Sequence, residues 1–336
     1  MRTLTYAQAI REASAQLLAS DPRVFLIGQG LWSPWYAGTS LRDIDKEFGR
    51  NRVLDSPVSE NAVTGAAVGA ALVGMRPIVF HPRMDFMLLA VDPIVNQAAN
   101  WAYIFGGQVS VPIVIRGVIN RGGEQAAQHS QALHAMFMHV PGLKIVMPST
   151  AYDAKGLLVA AVNDENPVLY IDDRWLYDET GDVPEPLYEV PIGSAAVRRP
   201  GRDVTIVATS YMAAQAQRAV NQLERDGIDA ELIDLRSLKP WDRECVLDSV
   251  RKTGRCIITD AAWRTCGVAS EIAATVAEAC HDALTAPVTR VCLPDAPAPM
   301  SAALERAYYI GANDIVAAVR KLGVQRRGHG VSSPIR

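Results

Sequence analysis

The segment DSPVSENAVTG at residues 55–65 sets one carboxylate, Glu60, at the predicted start of a helix built almost wholly of small residues. Ser59 before it is of the type that caps helices, and an acid in a first helical turn gains about 0.3–1 kcal/mol from the helix dipole. Glu60 therefore reads either as a helix-end acid or as a carboxyl held ready for proton transfer. Along the helix that follows, Gly65, Ala66, Gly69, Ala70 and Gly74 leave almost no side-chain bulk. Such a surface lets another backbone approach closely, as at a subunit or domain contact, and binding sites favour such junctions. A second candidate, GGEQAAQHSQ at 122–131, gathers two glycines, three amides and His129 on a loop just after the apolar run VPIVIRG at 111–117. In parallel sheets ligands bind at the carboxyl ends of strands, where this loop would emerge. His129 is then a general acid/base or an anchor for a substrate carboxylate. The alternative is that His129 and Gln128 satisfy backbone groups in a tight loop.

Other chemistries lack their residues. GQGLWS at 28–33 follows a strand, but it has no third glycine, and Trp32, Ser33 and Pro34 do not open a helix, so it is not a dinucleotide fingerprint. No GxxxxGK[ST], GxSxG or HExxH occurs. His129, His134 and His139 recur every fifth residue, a step of about 140° on a helix that cannot bring them to one face. The five cysteines, Cys245, Cys256, Cys266, Cys280 and Cys292, form no CxxC pair and suit reduced thiols in a cytoplasm.

The elements that must position Glu60 and His129 are legible as alternation. Short β-branched runs at 24–28, 76–80, 111–117, 143–148 and 167–172 interleave with helical segments at 5–19, 60–74, 84–105 and 151–164. Runs apolar on both faces imply a parallel sheet covered by helices on two sides. A stretch rich in Pro, Glu and Gly at 178–203 reads as a linker. After it the alternation resumes in DVTIVATS, AELIDL, RCIITD and VTRVCLP, with helices expected at 211–227, 239–252 and 267–284. The expected organisation is two layered α/β domains with mainly parallel sheets: residues 1–177, a linker, residues 204–324, and a loose tail at 325–336. At 336 residues and net charge −3, the chain has room for two cores and no overall attraction to nucleic acid or to an anionic membrane. The most apolar helix, Ala62 to Met75, falls short of the roughly 20 residues that span a bilayer. The N-terminus has no signal-peptide core, so a cytoplasmic location is expected.

Taken together, the segments DPRVFLIG, FGRNRVLDSPVSENAVTGAAVGAALVGMRPI, DFMLLAVDPIVNQAANWAYIFGG, AAQHSQALHAMFMHVPGLKIVMPSTAYDAKGLL, AELIDLRSLKPWD and DAPAPMSAALERAY resemble a known family from about residue 3 to residue 322. It is the beta subunit of the 2-oxo acid dehydrogenase decarboxylase component, pyruvate and branched-chain type, among the transketolase-like thiamine diphosphate enzymes. The resemblance implies that Glu60 hydrogen-bonds the aminopyrimidine ring of the cofactor, favouring the imino tautomer that takes the thiazolium proton. It implies that Phe86 packs on the pyrimidine and that His129 handles substrate or acceptor. It places Ile113, Ala161, Val162, Asp164 and Asn166 at positions holding a structural potassium ion, largely through backbone carbonyls. The GDG and distant Asn that grip magnesium and the diphosphate are missing, so a separate alpha subunit is expected, in an α2β2 assembly, with a lipoyl acyltransferase as a further partner.

Two acids of the resemblance's inter-site proton path are replaced, by Gln29 and Phe80, while His81 and Arg83 add basic groups near Phe86. His81, Arg83 and Gln128 are therefore the expected contacts for an anionic substrate or acceptor, against an Arg83 that merely points outward. The leading expectation is decarboxylation of a small 2-oxo acid with acyl transfer to a lipoyl arm. A split transketolase-like carboligase is the rival. An inactive structural or regulatory subunit is the third reading, against which Glu60, Phe86 and His129 argue.

Overall fold

The structure, a computed structural model, describes residues 2–36, 38–123 and 125–324. The tail expected to be loose, 325–336, lies outside the described residues. β1 (Arg2–Thr5) leads into α1 (Tyr6–Ser20), whose start is set by a capping box in which Thr5 and Gln8 bond each other's backbone amides. There follow β2 (Val24–Gln29), α2 (Ile44–Phe48), β3 (Val53–Ser56), α3 (Glu60–Leu72), β4 (Arg76–His81), α4 (Ala99–Ile104), β5 (Val114–Ile119), α5 (His134–Met138), β6 (Lys144–Val146), α6 (Ala151–Asn163) and β7 (Val168–Asp173). These strands form a sheet in the order β6-β7-β5-β4-β2-β3, every neighbouring pair parallel. Both faces are covered, as the apolar runs require: β5 and β7 are buried at every position.

The helix expected over 84–105 is broken into a 3₁₀ turn at Met84–Ala90, a π-helical turn at Pro93–Ala98 and the short α4. Pro93 explains the break, because it has no N–H to give and its ring crowds the preceding turn. The stretch expected as a linker is more than coil. It carries β8 (Thr180–Val183), paired antiparallel with β1, and β9 (Ala196–Arg199).

The second sheet contains β10 (Val204–Ala208), β11 (Ala230–Asp234), β13 (Cys256–Trp263) and β14 (Thr289–Leu293) in the order β14-β13-β10-β11-β9, with β9 alone antiparallel. Around it lie α7 (Ser210–Arg225), α8 (Arg243–Thr253), α9 (Val268–Ala279), α10 (Ala302–Tyr308) and α11 (Ala312–Lys321). The two sheets are tied together. β12 (Ser237–Lys239) crosses from the second half to the edge of the first sheet, pairing antiparallel with β6. Buried side chains complete the tie: Arg121 donates to Ala261 O at 2.7 Å and to Asp173 at 2.6 Å, and His134 Nε2 meets Asp260 at 2.9 Å.

Candidate active site

Chain direction switches at β2: from it the chain steps outward to β3, then returns through α3 to β4 on the other side. In open parallel sheets the crevice at such a switch, beyond the carboxyl ends of the strands, is where ligands bind. Glu60 enters that crevice at the first residue of α3, with 9% of its surface exposed. It lines a small cleft with Val63 of the same helix and with Gln29, Ser56, Pro57 and His81, residues at or just beyond the ends of β2, β3 and β4. Among the described residues no hydrogen-bond partner engages its carboxyl, which leaves both oxygens available to a ligand. Ser59 does stand at the N-cap, but its hydroxyl donates to Val58 O at 2.7 Å and makes no cap bond to the helix.

Phe86 and His129 come together although 43 positions apart in the numbering of their loops (129 against 86). Their rings meet edge to face with centroids 5.4 Å apart. His129 lies on a loop turned by Ala126, whose φ is 58°, and is half-buried; Phe86 is 36% exposed and offers a flat apolar face. His129 thus does not serve the backbone of its own loop with its ring. Gln128 beside it is exposed and has no side-chain hydrogen bond among the described residues.

His81, one of the expected contacts for an anionic group, lines the Glu60 cleft. It is buried, its Nε2 lies 3.2 Å from the Thr64 hydroxyl, and burial pushes its pKa down to about 4, so it is neutral at physiological pH. It helps to hold α3 against β4. Arg83 is half-buried rather than pointing freely outward. One of its terminal nitrogens, Nη1, is buried without a hydrogen-bond partner, and burial and the neighbouring Arg174 both hold its pKa below the usual arginine value. Asp85, between Arg83 and Phe86, is an acid that belongs to none of the sequence motifs. Its Oδ1 accepts from Gln131 N at 3.1 Å and Gln131 Nε2 at 2.9 Å, its Oδ2 is buried and unpartnered, and burial raises its pKa. An acid inside the apolar run MDFMLLA is the signal that would have flagged it.

The remaining candidates lie elsewhere or are spoken for. The amides of Gly30 and Leu31, which would face a phosphate in a dinucleotide site, donate to Asp55 Oδ1 at 2.6 and 3.1 Å. Phe80 borders the same cleft but packs its ring into a core cluster with Arg116 over it, and it supplies no carboxylate there. Ile113, Ala161, Val162, Asp164 and Asn166 gather at the amino ends of β5 and β7, at the opposite end of the sheet from Glu60. Burial pushes the Cys256 and Cys292 thiols up to about 12, which removes them as nucleophiles. No cluster of three or more His, Cys, Asp or Glu able to hold a metal occurs among the described residues.

The sequence matches the family model for the transketolase pyrimidine binding domain over residues 2–179, the half that carries Glu60, Phe86 and His129, and the model for the transketolase C-terminal domain over residues 193–315. The chain belongs to the transketolase family. Within that family it is of the beta-subunit type. It is 42% identical to the beta subunit of acetoin:2,6-dichlorophenolindophenol oxidoreductase of Cupriavidus necator, covering 95% of this chain and 97% of that one. It is 40% identical to the pyruvate dehydrogenase E1 component subunit beta of Rickettsia felis, covering 95% and 98%. A solved structure titled as a split gene transketolase, inactive beta4 tetramer, superposes with a TM-score of 0.76 at 26% identity over 96% of this chain and 99% of that one.

Family members of this type depend on thiamine diphosphate and work as subunits of larger assemblies. That cofactor, when bound, supplies a carbon centre that adds to a carbonyl and holds the electron pair left by cleavage of the adjacent bond. Glu60 suits its pyrimidine half, because the residue is 9% exposed while its carboxyl is unengaged by the protein, and Phe86 offers a partly exposed aromatic ring. Among the described residues no helix is long and apolar enough to cross a membrane.

Proposed function

We propose that this chain is the beta subunit of a thiamine diphosphate enzyme that cleaves a small 2-oxo acid or hydroxyketone donor and passes the acyl group to the lipoyl arm of a partner acyltransferase. Its alpha partner supplies magnesium and the diphosphate grip, in an α2β2 assembly. The observation that carries this reading is Glu60, a largely buried residue at the head of α3 whose carboxyl opens unengaged into a crevice lined from three successive strand ends. Glu60 holds a proton against a pyrimidine ring nitrogen, Phe86 packs on that ring, and His129 moves a proton at the substrate carbonyl or its acceptor. Arg83, with Nη1 unpartnered, meets an anionic group of donor or acceptor, and the exposed Gln128 offers a further hydrogen bond to it.

A second reading, a split carboligase delivering the same unit to a carbonyl acceptor, is favoured by one specific observation. The proton-path acids are absent: Gln29 is an amide, and the Phe80 ring faces the core.

The test is co-expression with the alpha partner, addition of thiamine diphosphate and magnesium, and a donor panel including pyruvate and acetoin. Ferricyanide reduction and ligation products with aldehyde and ketone acceptors are followed together. Oxidation without ligation is the expected result; ligation without oxidation selects the carboligase. Glu60→Gln should lower either activity by at least about a hundredfold while the assembly stays intact, and activity near wild type would refute the role given to Glu60. Arg83→Ala should raise KM for charged donors or acceptors only.

A further inference from the structure

The loop that joins α6 to β7, residues 164–167, lies with the end of α6 where the family resemblance puts a potassium ion, and it can be read directly for what already occupies it. Arg76, the first residue of β4, reaches across beneath the sheet with a side chain only 11% exposed. Its Nη1 donates to Val162 O at 2.7 Å and to Asp164 O at 3.2 Å, two of the carbonyls a bound ion would need. Its Nη2 pairs with the Glu165 carboxylate, which Ser110 also engages. Asp164, the one acidic side chain of the set, is likewise in use. Its Oδ1 accepts from Asn166 N at 2.9 Å and Asn166 Nδ2 at 3.0 Å, and its Oδ2 pairs with Lys144. The bonds from Lys144 and Asn166 hold the Asp164 carboxyl below its ordinary pKa against the opposing effect of burial. Ile113 O, a further ligand of the set, accepts from Val168 N at 2.9 Å.

Charge adds to geometry. Asp164 and Glu165 are matched by Lys144 and Arg76, so the loop is neutral before any ion arrives, and an added cation would stand beside a guanidinium bonded to the same oxygens. The carbonyls at the end of α6 carry the negative end of the helix dipole, and a cation placed there is stabilising whether it is an ion or a side chain.

We infer that Arg76 is the resident cation of this loop, so that the chain holds the α6–β7 connection without potassium. Arg76 is a positioning residue: it fixes where β7 starts, remote from Glu60, and touches no reacting group. The test is thermal melting of the full-length chain, alone and with its alpha partner, in potassium, sodium and choline chloride at one ionic strength. Wild type should melt at the same temperature in all three salts. Arg76→Met should melt lower, and it alone should gain selectively in potassium. A saturable, potassium-specific rise in the wild-type melting temperature would overturn the inference, as would an Arg76→Met chain that melts like wild type. If Arg76→Met does not fold, diffraction from wild-type crystals soaked in thallium, a potassium mimic, decides alone. Anomalous density at Val162 O and Asp164 O would sink the inference, and none there would uphold it.

Discussion

At the scale of single residues, the site depends on how burial divides the tasks between neighbouring polar groups. Glu60 and His81 face the same cleft, yet only His81 has a protein partner, Thr64, and is kept neutral by burial. The linkage has a definite sign. The folded pKa of His81, about 4, lies below the ordinary histidine value of 6.5, so between these pH values the unfolded chain binds a proton that the folded chain does not. Stability is therefore greatest above the upper value and falls as pH drops through the window, by about 3 kcal/mol in total from this one group. His81→Gln, which can keep the bond to Thr64, should flatten that part of the stability profile in urea melts at successive pH values. A variant with the wild-type slope would mean that other groups carry it.

At the scale of elements, α3 is divided lengthwise. Thr64, Ala67, Val68 and Ala71 are buried against the first sheet, while Ala62, Ala66 and Gly69, with Val73 just past the helix end, form an open face. A Cβ built on Gly65 or Gly69 would meet nothing within 4 Å, so nothing inside this chain requires those glycines. Gly69→Ala should then stabilise the isolated chain by about 0.5–1 kcal/mol through helix propensity alone. Gly69→Leu should leave the chain folded but weaken its assembly, read as a shift to smaller species in sedimentation velocity with the alpha partner present. An undisturbed assembly would remove this face from the interface. The small-residue pattern was legible without any structure, as were Glu60 at the helix head and the strand–helix alternation, because both are local periodicities. The break of the 84–105 helix was less so: Pro93 was visible, but not that the chain before it winds into a 3₁₀ turn delivering Asp85 inward and Phe86 outward to His129.

At the scale of the whole molecule, the loops that build the site are held by charges buried between the two sheets. Arg121 sits just before the glycine loop that leads to His129, and it bonds Asp173 at the end of β7 and Ala261 of the second sheet. Burial raises the Asp173 pKa, and the adjacent guanidinium opposes that. Removing the cation leaves an uncompensated buried carboxylate, so Arg121→Met should cost about 3–5 kcal/mol. The double variant Arg121→Met with Asp173→Asn should recover part of that loss. Chemical denaturation of the four chains checks it, and strictly additive losses would show that the two residues are not coupled.

By itself the sequence determined the layered α/β plan, the head of α3 as the place for the acid, and the family, because apolar period, capping types and motif order are properties of neighbouring residues. Tertiary structure alone decided which of those residues meet. The Phe86 ring found His129 across two strands, His81 was buried into neutrality, and Arg76 reached the carbonyls at the end of α6. Each of these outcomes turns on desolvation or on contact between distant segments, and neither quantity is defined until the chain has folded.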